Sequence, residues 1–166
     1  MCEMKGFITN LGKYNEGELV GKWIDFPIDE DDFESELESI GVKENTMYEE
    51  WFITDYDCSL FDMHAAFGEY PNIDDINEVA EALDYREDEF IALLEVCSYE
   101  DALDHLEAED FTFYYDMTLE DVAYELVDEC YDLPEIAQRY FDYAAFARDL
   151  SFDGYSETSN GVIYTC

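Results

Sequence analysis

Apolar and polar positions alternate with a period of two in two early stretches, residues 5–11 and 18–26, and this predicts two strands joined by a loop through Asn15 and Gly17. A helix is expected next. Acids at 29–32 stand where a helix dipole favours negative charge, Phe33, Leu37 and Ile40 recur at i, i+4 and i+7, and Gly41 offers a left-handed stop. Residues 48–55 return to a strand pattern, so the first segment reads as a small α+β unit.

The period then changes to that of a helix. Asn72 caps a run in which Ile73, Ile76, Val79, Ala80 and Leu83 form one apolar stripe. Phe90, Leu93, Leu94 and Cys97 repeat the pattern, and after Ser98 so do Ala102, Leu103 and Leu106. Residues 111–115 predict a strand. Thr118-Leu119-Glu120-Asp121 resembles a capping box ahead of the apolar face of Val122, Ala123, Leu126, Val127 and Cys130. Pro134 interrupts that helix, residues 136–150 read as another, and Asn160-Gly161 predicts a two-residue hairpin loop. The expected fold is α+β and elongated, with three small domains in series: residues 1–60 (α+β), 61–108 (helical) and 109–166 (α+β, with the dimerisation region).

Charge alters this picture more than any motif does. The chain of 166 residues carries 7 Lys+Arg against 45 Asp+Glu, a formal net charge of −38. Ordinary nucleic-acid binding is excluded, because scattered cations supply no footprint for a phosphate backbone. Disorder is excluded by a hydrophobic fraction of 48% and an aromatic fraction of 17%. The charge is uneven: residues 1–43 hold 11 acids and four cations, residues 44–138 hold 30 acids and Arg86 alone, and residues 139–166 hold four acids with Arg139 and Arg148. Two such chains repel unless they meet where charge is low, so self-association is expected through residues 133–166.

Metal and catalytic chemistry find little support. The acids lack the EF-hand spacing, and His64 and His105 lack the neighbours of a helical metal motif. Cys2, Cys58, Cys97, Cys130 and Cys166 are odd in number and form no Cys-x-x-Cys pair. No nucleophile elbow or phosphate-cradling glycine loop is present. The expectation is a protein with no enzymatic activity, metal or cofactor, no direct contact with nucleic acid or membrane, and a cytoplasmic location.

Collectively the acids have a scale. Duplex DNA carries one charge per about 1.7 Å of axis, so a charge of −38 matches roughly 65 Å of duplex. A compact chain of this length has a radius of gyration of only about 15 Å. Linear charge density therefore calls for an extended arrangement, and carboxylates standing where phosphates stand would occupy a basic DNA groove.

Three stretches resemble the ArdA antirestriction family. Tyr14-Asn15-Glu16-Gly17-Glu18-Leu19-Val20-Gly21-Lys22-Trp23-Ile24-Asp25 resembles its opening signature and Glu49-Glu50-Trp51-Phe52-Ile53-Thr54-Asp55-Tyr56 its next strand. Tyr140-Phe141-Asp142-Tyr143-Ala144-Ala145-Phe146-Ala147-Arg148-Asp149-Leu150 resembles its C-terminal signature, preceded by an acidic helix at 120–134. The resemblance implies an elongated, curved, dimeric DNA mimic encoded on mobile elements, which occupies the DNA-binding channel of Type I restriction-modification enzymes without cofactor or chemistry and so blocks restriction, and with it modification, of incoming DNA.

The expected contacting surface comprises Asp74, Asp75, Glu78, Glu81, Asp101, Asp104, Glu120, Asp121, Glu125, Asp128 and Glu129, no one of which should dominate. Tyr140, Phe141, Tyr143 and Phe146 are the expected dimer contacts. Three other readings compete: an acidic chaperone or inhibitor of another basic DNA-binding protein, a halophilic surface, and a carboxylate enzyme marked by one buried, pKa-raised acid.

Overall fold

In the computed structural model, which describes residues 3–165, strand β1 (Met4–Asn10) buries Met4, Gly6 and Ile8 on one face and lies between two antiparallel partners. These are β2 (Gly21–Phe26) and β3 (Trp51–Asp57), in the order β2-β1-β3. The register sets Lys5 opposite Asp25 on one side and Asp57 on the other, and its ammonium lies 3.5 Å from the Asp25 carboxylate and 3.0 Å from that of Glu3.

The three early strands stand close to where alternation put them, with shifted ends. The expected loop begins with a short helix, α1 (Leu11–Asn15), because the Asn10 side chain accepts the Lys13 N–H at 3.0 Å. Glu18 N–H closes that turn on the Lys13 carbonyl, which delays β2 to Gly21. Helix α2 (Glu30–Ser39) is capped by Asp29 and buries Phe33. It ends in a Schellman motif: Gly41, at φ +80°, donates to the Glu38 carbonyl, and Val42 donates to that of Leu37.

Helix α3 (Met63–Phe67), which the periodicity gave no sign of, is held by the Asp62 side chain accepting from Ala65 N–H, and it buries Met63. Asn72 caps α4 (Ile73–Tyr85) as expected, and Ile76, Val79, Ala80 and Leu83 are buried. Packing of α4 against β2 is reinforced by Asn77, whose side chain accepts from the Ile28 N–H and donates to the Ile28 carbonyl.

By packing, the chain divides into two units, one ending at Glu87 and the other starting at Asp88. The helices expected at 61–108 are thus shared, with α3 and α4 in the first unit and α5 (Glu87–Leu94) and α6 (Tyr99–Ala108) falling at and after the boundary. Phe90, Ala92 and Leu93 of α5 are buried, and Ser98 caps α6.

The second unit adds β4 (Phe111–Tyr115), α7 (Leu119–Cys130), α8 (Glu135–Arg139), α9 (Tyr143–Leu150), β5 (Tyr155–Thr158) and β6 (Gly161–Thr165). Its antiparallel sheet has the order β4-β6-β5, and α7 packs on α9 over a core of Val122, Ala123, Ala147, Leu150 and Val162. Asn160 donates to the Asp88 carbonyl at 2.8 Å, and the Glu95 carboxylate accepts from Ser159, so α5 is tied to the β5–β6 turn.

Two local expectations are corrected. The hairpin loop is Ser159 and Asn160, with Gly161 inside β6 opposite Thr158. Gly161 adopts φ +152°, and a Cβ there would lie 2.2 Å from the Tyr114 carbonyl oxygen, so close strand approach rather than a primed turn explains this glycine. The helix expected over 136–150 is two helices, because the Asp142 side chain accepts from Ala145 N–H and starts α9 afresh. Cys97 and Cys130 carry free thiols, while Cys2 and Cys166 lie outside the described residues.

Candidate partner-binding surface

The expected contact acids sit on three helices, and each helix begins with the same local device. Asn72, Ser98 and Thr118 accept N–H groups of the first turns of α4, α6 and α7. At the third position stand Asp75, Asp101 and Asp121. Asp75 receives the Asn72 amide at 3.2 Å, Asp101 the Ser98 hydroxyl at 2.9 Å, and Asp121 both the Thr118 N–H and its hydroxyl, at 2.9 and 2.7 Å. The Thr118 backbone and hydroxyl bonds hold the Asp121 carboxyl below its ordinary range. With Asp74 and Glu120 beside them, these acids stabilise their own helices, because the N-terminal turn of a helix favours negative charge.

The remaining acids have no such local reason. Glu78 and Glu81 are exposed on α4, Asp104 is exposed on α6, and Glu125 is half-buried on α7. Asp128 and Glu129 are exposed in the last turn of α7, where the dipole opposes them and no basic residue offsets it. The last turn of α4 likewise holds Asp84 and no base. Carboxylates placed against the dipole cost helix stability.

Besides Lys5, four cations are engaged away from α7. Lys13 meets Glu16 and Glu18, Lys22 meets Glu36, Arg139 meets Glu135 at 3.0 Å, and Arg148 lies 3.5 Å from Asp149. Among the described residues, no cation is paired with Asp121, Glu125 or Asp128 of α7. Asp121, Glu125 and Asp128 follow one another at i, i+4 and i+7, and with Asp116 they border a groove of about 730 Å³. Tyr124 and Tyr143 line it, their rings stacked with centroids 3.8 Å apart. Asp116 and Tyr124 were not among the residues expected from the sequence. The i, i+4, i+7 spacing of the three acids was the signal that could have located the groove.

The four expected dimer contacts divide by environment. Tyr140 is 84% exposed and Phe141 half-buried, whereas Tyr143 is held by the Tyr124 stack and Phe146 packs on the core of the second unit. Phe141 meets Tyr143 and Phe146 edge-on. Ile136 on α8, four residues before Tyr140, is likewise exposed, at 70%.

Among the described residues, no helix is long and apolar enough to cross a membrane, and no group of three His, Cys, Asp or Glu side chains is placed to hold a metal ion. The model of the family described as antirestriction protein (ArdA) matches residues 7–164. No curated protein matches the chain.

Proposed function

Because the chain belongs to the ArdA antirestriction family, whose members act against restriction enzymes, we propose that it works as a DNA mimic, filling the DNA-binding channel of a Type I restriction-modification enzyme so that incoming mobile-element DNA escapes cleavage. The observation that carries this reading is the placement of Asp128 and Glu129 against the dipole of α7, beside Asp121 and Glu125, which make no ion pair among the described residues. An acid that lowers the stability of its own helix is accounted for when an external cation meets it. The carboxylates accept charge-assisted hydrogen bonds from the channel's Arg and Lys side chains and displace the anions condensed there.

The proposal includes a homodimer in the cytoplasm, formed at the weakly charged C-terminal segment. Tyr140 and Phe141 provide the outward contact, with Tyr143 and Phe146 supporting them from within the unit. It also requires that carboxylates be spread along a line rather than over a sphere, which small-angle scattering of the purified chain measures.

A restriction assay with a purified Type I enzyme and unmodified DNA, titrating the protein at several DNA concentrations, tests the reading. Inhibition relieved by excess DNA supports it. Inhibition indifferent to DNA overturns mimicry, and no inhibition by folded protein moves the assignment to an acidic chaperone or another basic target.

A further inference from the structure

The groove on α7 combines two features that rarely suit the same ligand. Asp116, Asp121, Glu125 and Asp128 make it strongly anionic, and the Tyr124–Tyr143 stack gives it aromatic surface. Its volume of about 730 Å³ falls within the roughly 300–1,000 Å³ typical of ligand sites. Tyr124 is 50% exposed, so its ring remains open to an incoming group. The site is also preorganised. Both bonds from Thr118 land on Oδ2 of Asp121, which leaves Oδ1 for a donor in the groove, and the backbone of Asp116 is held by its N–H bond to the Asn160 carbonyl at 2.9 Å.

Charge excludes anions and disfavours neutral ligands. Between cations, an ammonium is compact and strongly hydrated, and gains from the carboxylates but little from the rings. A guanidinium is planar, weakly hydrated, stacks on aromatic faces and donates in a fork that matches carboxylate oxygens. We propose that this groove receives an arginine side chain of the bound target protein, its guanidinium against the tyrosine stack and its N–H groups donating to the surrounding carboxylates. The proposal rests on the inhibitor reading, and it assigns to one place on the acidic surface a selectivity that simple charge matching lacks.

Nuclear magnetic resonance of the full chain tests it, with N-acetylarginine amide and N-acetyllysine amide as probes. The arginine probe should produce saturable shifts confined to the Tyr124 and Tyr143 rings and the amides of 121, 125 and 128, with the lysine probe binding several-fold more weakly. Tyr124→Ala should weaken the arginine response about threefold to tenfold, and Tyr124→Phe should retain it. Asp128→Asn, at a position where the helix disfavours the carboxylate, is the second variant should Tyr124→Ala fail to fold; it too should weaken binding. Equal response to the two probes, or shifts spread alike over α4, α6 and α7, overturns the proposal. So does a folded Tyr124→Ala that inhibits restriction as well as the parent. The titration contains no restriction enzyme, so localised arginine binding without inhibition would overturn the mimic reading, whereas inhibition without it would overturn only the arginine groove.

Discussion

The carboxamide of Asn77 and the backbone of Ile28 are joined in both directions: Oδ1 accepts the Ile28 N–H at 2.9 Å, and Nδ2 donates to the Ile28 carbonyl at 2.8 Å. This pair fastens α4, with its exposed Glu78 and Glu81, to the connection between β2 and α2. Asn77→Ala removes both bonds and leaves a partly buried amide and carbonyl without them. Chemical denaturation should show a loss of about 1–3 kcal/mol, with net charge unchanged.

At the start of α7, stability should depend on acid pH through Asp121. Its folded pKa is lowered by the Thr118 bonds, so its contribution is complete above the ordinary value of 3.8 and is lost as pH falls through the lower folded value. Thr118→Ala should lower the melting temperature at neutral pH by a few degrees and flatten this part of the acid profile. An unchanged acid limb would show that the capping box does not act through charge.

Alkaline pH should work in the opposite sense on two tyrosines. Burial, with Tyr155 adding to it, pushes the Tyr114 hydroxyl up to about 12, and burial raises that of Tyr56, which donates to the Gly68 carbonyl at 2.7 Å. The folded chain holds these protons more tightly than the unfolded chain, so stability falls as pH rises from the ordinary value of 10 toward 12. Ultraviolet titration should show phenols ionising late, and Tyr114→Phe should remove part of the alkaline loss.

Single neutralisations at Glu78, Glu81, Asp104, Asp128 and Glu129 should each weaken inhibition by about twofold or less, the scale of an exposed ion pair. All five together should abolish it. The combined variant should melt no lower than the parent, because it sheds self-repulsion and two carboxylates opposed by the α7 dipole. One single variant that abolished inhibition would replace the distributed surface with a localised one.

Sedimentation at micromolar concentration and physiological salt measures the proposed dimer. The parent should sediment as a dimer and Tyr140→Asp as a monomer, with unchanged far-ultraviolet dichroism. A monomeric parent would remove self-association from the reading.

Much of this molecule could be read from its sequence wherever one signal dominated. Asn72, Ser98 and Thr118 announced α4, α6 and α7, and apolar periodicity placed their buried faces, except that Cys130, expected on the apolar face of α7, is exposed at its C-terminal end. The segments that escaped are α1 and α3, each a five-residue helix too short to show a period and set by a single side-chain cap, Asn10 or Asp62. Residues 136–150 carry helical periodicity throughout, but a local bond to Asp142 outweighed it. The acidic surface was visible in outline. Its division into acids that serve their helices and acids that do not required knowing where each helix ends, and the tyrosine pair at the groove joins α7 to α9, a contact that sequence spacing does not encode.

The capped first turns of α4, α6 and α7 bear on how such a sequence drifts. Asp75, Asp101 and Asp121 serve the chain's own folding, whatever partner it meets. Glu78, Asp128 and Glu129 have no such anchor. If the second set is the proposed contact surface, a lineage released from its target should lose those acids first, and their turnover across relatives, more than total acidity, would mark that release.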